Sequence, residues 1–436
     1  LIGHRVDVLQ SNPTRRALFT ARASWRFLAL VVFIALVCLR LPEVIYPGRF
    51  WAEEGAVYYR VAWTMPWWQA LWSPYVGYLN LAANAAGLAA RYLVPLEDAP
   101  RVTTAIALMI QSIPAVLLVT AKDEWLRGPP VLFAAILLLA MPPVFDEVWL
   151  NTANSQFHIA LAAALCLALK VPSGVGAMGR RFLLLCAPLS SPASVALTPL
   201  FIARAAIDRS KARALQAACI VTGTLLQLVL FYSRVGHRGN VPGPATLASI
   251  FAVKHLAIPF LGEQEAGVIA NSVHGDVVAG HYPVAAILAV CVTAGLLLAA
   301  VIRRGRPEPA WLLVSGLAIA CLSYYGAIEG KLALINVVAS QRYAFAPSML
   351  FALAVLALAA TKADRIARVS WVVVIWLLAI ATQQTLLPQD GFFVDGPSWK
   401  DEVALWRADP RHSLAIWPTG WLLVLPPQPH VSVAPK

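Results

Sequence analysis

The chain has 436 residues, of which 59% are hydrophobic and 13% charged, and its mean hydropathy is +0.69. This excludes a water-soluble core under a charged shell, because lipid accepts apolar side chains and requires only that backbone groups bond one another. The net charge of +12 does not mark a nucleic-acid binder, because its bases fall in short clusters between apolar runs.

A basic N-terminal segment, 1–26, is predicted to be cytoplasmic. The apolar run at 27–41 lacks a small-residue cleavage site and reads as an anchor. Further runs long enough to cross a bilayer, or shorter where tilted or broken, lie at 102–121, 131–142, 157–169, 182–203, 214–232, 283–302, 311–326, 343–361 and 369–387. The stretch 78–94 is apolar but carries Asn80, Asn84 and Arg91, which suits an interfacial helix as well as a span. Pro188, Ser190, Ser191 and Pro192 interrupt 182–203 and permit two half-helices in a hairpin.

Positive charge decides between these choices. An interfacial 78–94 and a hairpin at 182–203 put Lys122, Arg127, Lys170, Arg180 and Arg181 on the cytoplasmic side with the other basic clusters. The preferred reading is an all-α, polytopic transmembrane bundle over 27–387 with about 11 spans, its N-terminus inside and its C-terminus outside. The external face then receives a first loop at 42–101, the 141–156 connection, the long 233–282 loop, the 328–342 connection and a Trp- and Pro-rich tail at 388–436. The six cysteines lie in apolar runs without CxxC spacing and read as packing residues.

Candidate chemistry gathers in those external segments. Glu53 and Glu54 lie just past the first span among Trp51, Tyr58, Tyr59, Trp72 and Tyr75. A carboxylate withdrawn from water gains basicity, and a pair can also hold a divalent cation such as Mg or Mn against a phosphate. The same residues equally suit an aromatic belt and a solvated helix start. Asp146 and Glu147 form a second acidic pair, followed by the amides Asn151, Asn154 and Gln156 and by His158. These can bind hydroxyls in a cavity shared with the first pair, or simply cap a loop. External cations are Arg60, Arg234, His237, Arg238, Lys254, His255, Lys331 and Arg342. Arg342, where a loop enters a span, suits a phosphate contact or an interfacial anchor. Lys254 and His255 flank an apolar stretch expected to lie against the membrane. No Walker loop, GxGxxG, HExxH or GxSxG is present, and the spans hold almost no ionisable group away from their ends, which disfavours a proton-coupled transporter.

This layout, over roughly 27–203, resembles the membrane-embedded GT-C glycosyltransferases. It consists of a first span, a loop with paired acids and aromatics, an interfacial helix, a second acidic and amide-rich connection, and a Pro-broken hairpin. The chain departs from that pattern in having Glu-Glu where Asp is common and in lacking a large soluble C-terminal domain. The resemblance implies transfer of a sugar from a polyprenyl-phosphate donor to a glycan, lipid or protein acceptor on the external face of a multi-pass protein, as in a bacterial inner membrane. It maps the catalytic acid onto Glu53 or Glu54 and the second acidic loop onto Asp146 and Glu147. On this reading Arg342, with Lys331 or Arg60, stabilises the departing lipid phosphate, and Trp51, Trp72 and Tyr75 stack on sugar faces. The alternatives are a ligase- or polymerase-type glycan transferase working through Arg234, His237, Arg238 and Arg342, and a lipid or glycan transporter without bond chemistry.

Overall fold

The computed structural model of the protein describes residues 13–45, 48–143, 145–232, 242–303, 305–327, 330–361, 364–386 and 396–427. Seven described helices are long and apolar enough to cross a membrane: Leu96–Thr120, Lys211–Leu230, Pro244–Leu261, Val284–Ile302, Glu308–Gly326, Arg342–Ala359 and Arg365–Thr385. With the shorter apolar helices Pro129–Ala140 and Ser155–Ala168, they suggest a membrane protein. The first apolar run continues a longer helix, Pro13–Arg40. Burial sorts these helices by position. The most apolar stretch of Arg342–Ala359 is 83% buried and forms the centre, whereas that of Val284–Ile302 is only 17% buried and turns its side chains outward. An outward apolar face of that size suits lipid rather than water.

Contacts define two ends of the bundle. At one end Arg26 donates to the carbonyls of Val119 and Ala121, Lys170 N–H meets Asp123, and Arg180 donates to the Lys170 carbonyl. Arg204 and Arg213 reach carbonyls of residues 166–169, and Arg306 pairs with Glu124 while donating to the Ala360 carbonyl. The helix Val175–Ser190 leaves this end, breaks at Ser191 into a 3₁₀ turn, Pro192–Leu197, and returns as Thr198–Asp208. Both arms pack on the helix Lys211–Tyr232, where Gly223 allows direct approach: a Cβ there would collide with the Leu185 carbonyl oxygen.

The opposite end carries the two acidic segments. Between them Leu81–Leu93 is a helix of 13 residues, about 20 Å long and short of a bilayer core. Its polar residues are used locally: the Asn80 side chain accepts from Ala83 N–H, and Asn84 donates to the Leu71 and Ser73 carbonyls. The described part of the tail packs here as well. Trp399, Val403 and Trp406 of the helix Trp399–Ala408, with the hairpin Leu414–Ile416 and Trp421–Leu423, share a core with Phe50 and Tyr59. Tail and first loop therefore form one cap.

One expectation is corrected. The 233–282 stretch is not an extended loop where the structure describes it, but two helices, Pro244–Leu261 and Glu263–Val278. Lys254 and His255 do not flank a surface segment either; both are buried inside the first of these helices. The Lys254 ammonium donates to the carbonyls of Asn336, Val337 and Ala339, and the His255 ring sits between Ser348 and Tyr324. A Lys and a His lower the apparent hydropathy of a run, yet here each is satisfied from within the protein, so the helix stays apolar where it matters.

Candidate functional site

Glu53 and Glu54 are adjacent, and neighbouring helical residues point about 100° apart, so one helix cannot turn both acids the same way. The chain at this point is a π-helical turn, Glu54–Tyr59, a form that recurs at functional sites. Gly87 lets the helix Leu81–Leu93 settle on it: a Cβ would lie 2.9 Å from the Tyr58 carbonyl oxygen. Glu54 turns inward and is 1% exposed. One of its oxygens accepts from both Thr152 N–H and the Thr152 hydroxyl at 2.7 Å, and the other accepts from Trp51 N–H at 3.2 Å. It thereby clamps the first acidic segment to the second.

Burial pushes the Glu54 carboxyl above its ordinary range, against the opposing pull of the Thr152 and Trp51 donors and of Arg49. A raised acid holds its proton in the folded state while the unfolded chain has released it. The stability this group contributes is therefore full at acid pH and is lost as pH rises from the ordinary carboxyl range through the raised value. Glu54→Gln is expected to remove that loss. Melting temperature measured against pH should fall less steeply over this window in the variant than in the parent, and parallel profiles would contradict the assignment.

The second acidic segment is held by ion pairs. Asp146 pairs with Arg40 at 2.7 Å, and Arg40 also donates to the Pro142 carbonyl. Glu147 pairs with Arg342. Asn151 and Asn154 both donate to the Glu147 carbonyl at 2.9 Å, Asn151 accepts from Asn154 N–H, and Gln111 braces the segment from the helix Ala99–Thr120 through Leu150 N–H and the Val148 carbonyl. Asn151 thus shapes the loop. His158 is buried with its ring against Trp149 and Phe345, at centroid distances of 4.8 and 4.4 Å.

Between these segments lies a cavity of about 280 Å³. Of the expected site residues, Glu53, Tyr75, Asn154, Gln156 and Arg342 line it. Tyr58, Tyr78 and Tyr343 add hydroxyls, with Tyr78 within hydrogen-bond reach of Gln156. Tyr75 and Tyr78 stand at the ends of a tight turn and exchange both backbone hydrogen bonds, with Val76 and Gly77 at φ +48° and +82°. A β-branched residue in that region is strained, and Val76 lines the cavity. Burial first, and the Glu53 carboxylate among the remaining causes, pushes the Tyr75 and Tyr78 hydroxyls above their ordinary value, so these phenols stay protonated hydrogen-bond donors. The other wall is apolar: Pro192 and Val195 from the hairpin turn, with Leu228 and Leu322 from the helices Lys211–Tyr232 and Glu308–Gly326.

The remaining candidates lie elsewhere. Trp51 is buried, with the Arg49 guanidinium held between its ring and that of Trp417. Lys331 donates to the carbonyls of Tyr324, Tyr325 and Ala327, closing the end of a helix. Arg60 and Trp72 are exposed, neither lining the cavity, though the Arg60 charge reaches Tyr75. Arg234, His237 and Arg238 lie outside the described residues. A cation shared by Glu53 and Glu54 does not fit this donor set, because Glu54 already has both oxygens engaged and faces away from the cavity. Among the described residues no three His, Cys, Asp or Glu side chains gather as a metal site. Tyr78 and Tyr343 are not singled out in the sequence; Tyr78 lies well past the acidic motif in the chain, and only its turn with Tyr75 brings it to the same cavity. No family model, curated protein or solved structure matches this chain.

Proposed function

We propose that the protein is an integral membrane glycosyltransferase of the GT-C type. It moves a sugar from a polyprenyl-phosphate donor to a glycan, lipid or protein acceptor on the external face of a bilayer that its helices cross about 11 times. The observation that carries this reading is one cavity that joins a carboxylate, Glu53, a guanidinium, Arg342, and phenol and amide groups to an apolar wall on two long apolar helices. Polar and apolar halves of this kind match a sugar and phosphate on an isoprenoid chain. The clustering of Lys and Arg at the other end of the bundle supports an external site.

In this reaction the acceptor oxygen attacks the anomeric carbon, and Glu53 takes its proton. The bond from that carbon to the phosphate oxygen breaks, and the electron pair leaves with the lipid phosphate, whose charge Arg342 meets. Single displacement inverts the anomeric centre. Tyr75, Tyr78 and Gln156 present donors and acceptors to sugar hydroxyls.

The test is reconstitution of the full chain in liposomes with a labelled polyprenyl-monophosphate sugar and mixed glycan and lipid acceptors. The expected result is a new glycosidic product with release of polyprenyl phosphate. Movement of label across the bilayer with its linkage unchanged would identify a transporter and overturn the reading.

A further inference from the structure

A second cavity of about 190 Å³ lies on the other side of the central helices and shares no lining residue with the first. It is bounded by Pro129–Ala140 and the connection that follows it, Pro244–Leu261, Val284–Ile302, Arg342–Ala359 and the helix Arg365–Leu386, with Leu313 of Glu308–Gly326. Val292, which lines it, is 43% exposed, so the cavity reaches the outward face of the least buried helix. Its lining is apolar apart from Thr293, Ser348, Ser370 and His255, and no Asp, Glu, Lys or Arg takes part.

The polar corner is built. His255 is 5% exposed and lies in a π-helical turn, Ala252–Ala257, whose orientation the neighbouring Lys254 fixes through its three carbonyl bonds. The His255 Nδ1 is 2.8 Å from the Ser348 hydroxyl and its Nε2 is 2.7 Å from the Tyr324 hydroxyl. The tautomer follows from the network. Two hydroxyls and one neutral imidazole share two hydrogen bonds, so one hydroxyl hydrogen is left over. The phenol is the more acidic donor and the buried Tyr324 lies outside the cavity lining, so its hydrogen goes to Nε2 and the surplus falls on Ser348. Nδ1 then carries the ring hydrogen and donates it to Ser348. That leaves the Ser348 hydroxyl hydrogen with no acceptor among the described residues, at the wall of an apolar cavity.

A donor left this way in an apolar site calls for an acceptor from a ligand. A phosphate would need a cation, which this lining lacks, and a free alcohol would bring a further hydrogen that itself needs an acceptor. An ester carbonyl is acceptor-only and uncharged. We propose that this cavity binds a fatty acyl ester from the membrane, its chain along the apolar walls and its carbonyl accepting from Ser348. The site is separate from the proposed transfer reaction and stands or falls without it.

The experiment uses the full chain in nanodiscs with a diazirine-bearing fatty acid methyl ester, beside a diazirine alkane of equal length without the carbonyl. After illumination, peptides spanning 251–260 and 369–381 are expected to carry the ester label. Half-saturation should come at about fivefold to tenfold lower concentration for the ester than for the alkane, the worth of one hydrogen bond. Ser348→Ala removes a hydroxyl and little volume, and should bring the ester to the alkane's value. Ala352→Phe, which fills the cavity, should abolish labelling by both. Equal saturation of the two probes on the parent protein overturns the proposal without any variant, as does label on the walls of the first cavity alone. An unshifted Ser348→Ala protein with a parental melting temperature overturns it too.

Discussion

Replacing Glu53 by Gln is expected to slow sugar transfer by about 10²- to 10⁴-fold, the usual contribution of a positioned general base. The melting temperature in detergent should stay close to that of the parent. Glu53 lines the cavity at intermediate exposure and makes no hydrogen bond to a described residue, so the isosteric amide removes only its charge, which reaches Arg342, while the Arg342 pair with Glu147 stays in place. The loss should fall on kcat, because an amide of the same shape occupies the same space beside the substrate but takes no proton from it. Glu54→Gln behaves in the opposite way. It leaves the cavity lining untouched but disturbs the clamp on Thr152 and Trp51, so its effect should appear in stability and its pH dependence before it appears in transfer. Initial rates with the polyprenyl-monophosphate donor, alongside melting curves for both variants, separate the two acids. Transfer retained by Glu53→Gln would remove this residue from the chemistry.

That contrast also marks what the sequence can and cannot carry. Apolar runs are summed over many residues, so the helices around 102–121, 283–302 and 343–361 are plain from hydropathy alone, and clustered Arg and Lys show which ends meet. A pair such as Glu53 and Glu54 is different. Which acid faces a cavity depends on the phase of one short π-helical turn, and nothing in the run ArgPheTrpAlaGluGluGly fixes that phase. Pro244–Leu261 is hidden for a related reason: Lys254 and His255 look like surface charge until Asn336, Val337, Ala339, Ser348 and Tyr324 are seen to surround them. Lys331 shows the converse case. It looks like a phosphate ligand in the sequence, but the backbone of residues 324–327 folds around its ammonium. Long-range partners of this kind are set by tertiary packing and leave no local trace.

Arg342 holds two roles that a single substitution confounds. It faces the cavity and pairs with Glu147, the two side chains being 22% and 18% exposed. Arg342→Ala leaves a half-buried carboxylate without its partner, and a cost of about 2 to 3 kcal/mol is expected, below the range for fully buried pairs because some solvent reaches both groups. Transfer should fall in the same variant, and taken alone that would say nothing about phosphate. The double variant Glu147→Leu with Arg342→Met resolves it. Removing both charges for apolar groups of similar size should return stability to within about 1 kcal/mol of the parent, because neither ion is left stranded. Transfer should nevertheless stay at the level of Arg342→Ala if the guanidinium meets the departing phosphate. Glu147→Gln gives the complementary result: it weakens the pair, frees the Arg342 fork for substrate, and is expected to lower stability while keeping transfer. Arg342→Lys keeps a charge but not the planar fork, so an intermediate rate is expected. Melting curves and kcat/KM for the lipid donor across these four variants decide the matter. Recovery of both stability and transfer in the double variant would reduce Arg342 to a brace for the second acidic segment and leave the lipid phosphate without its assigned partner.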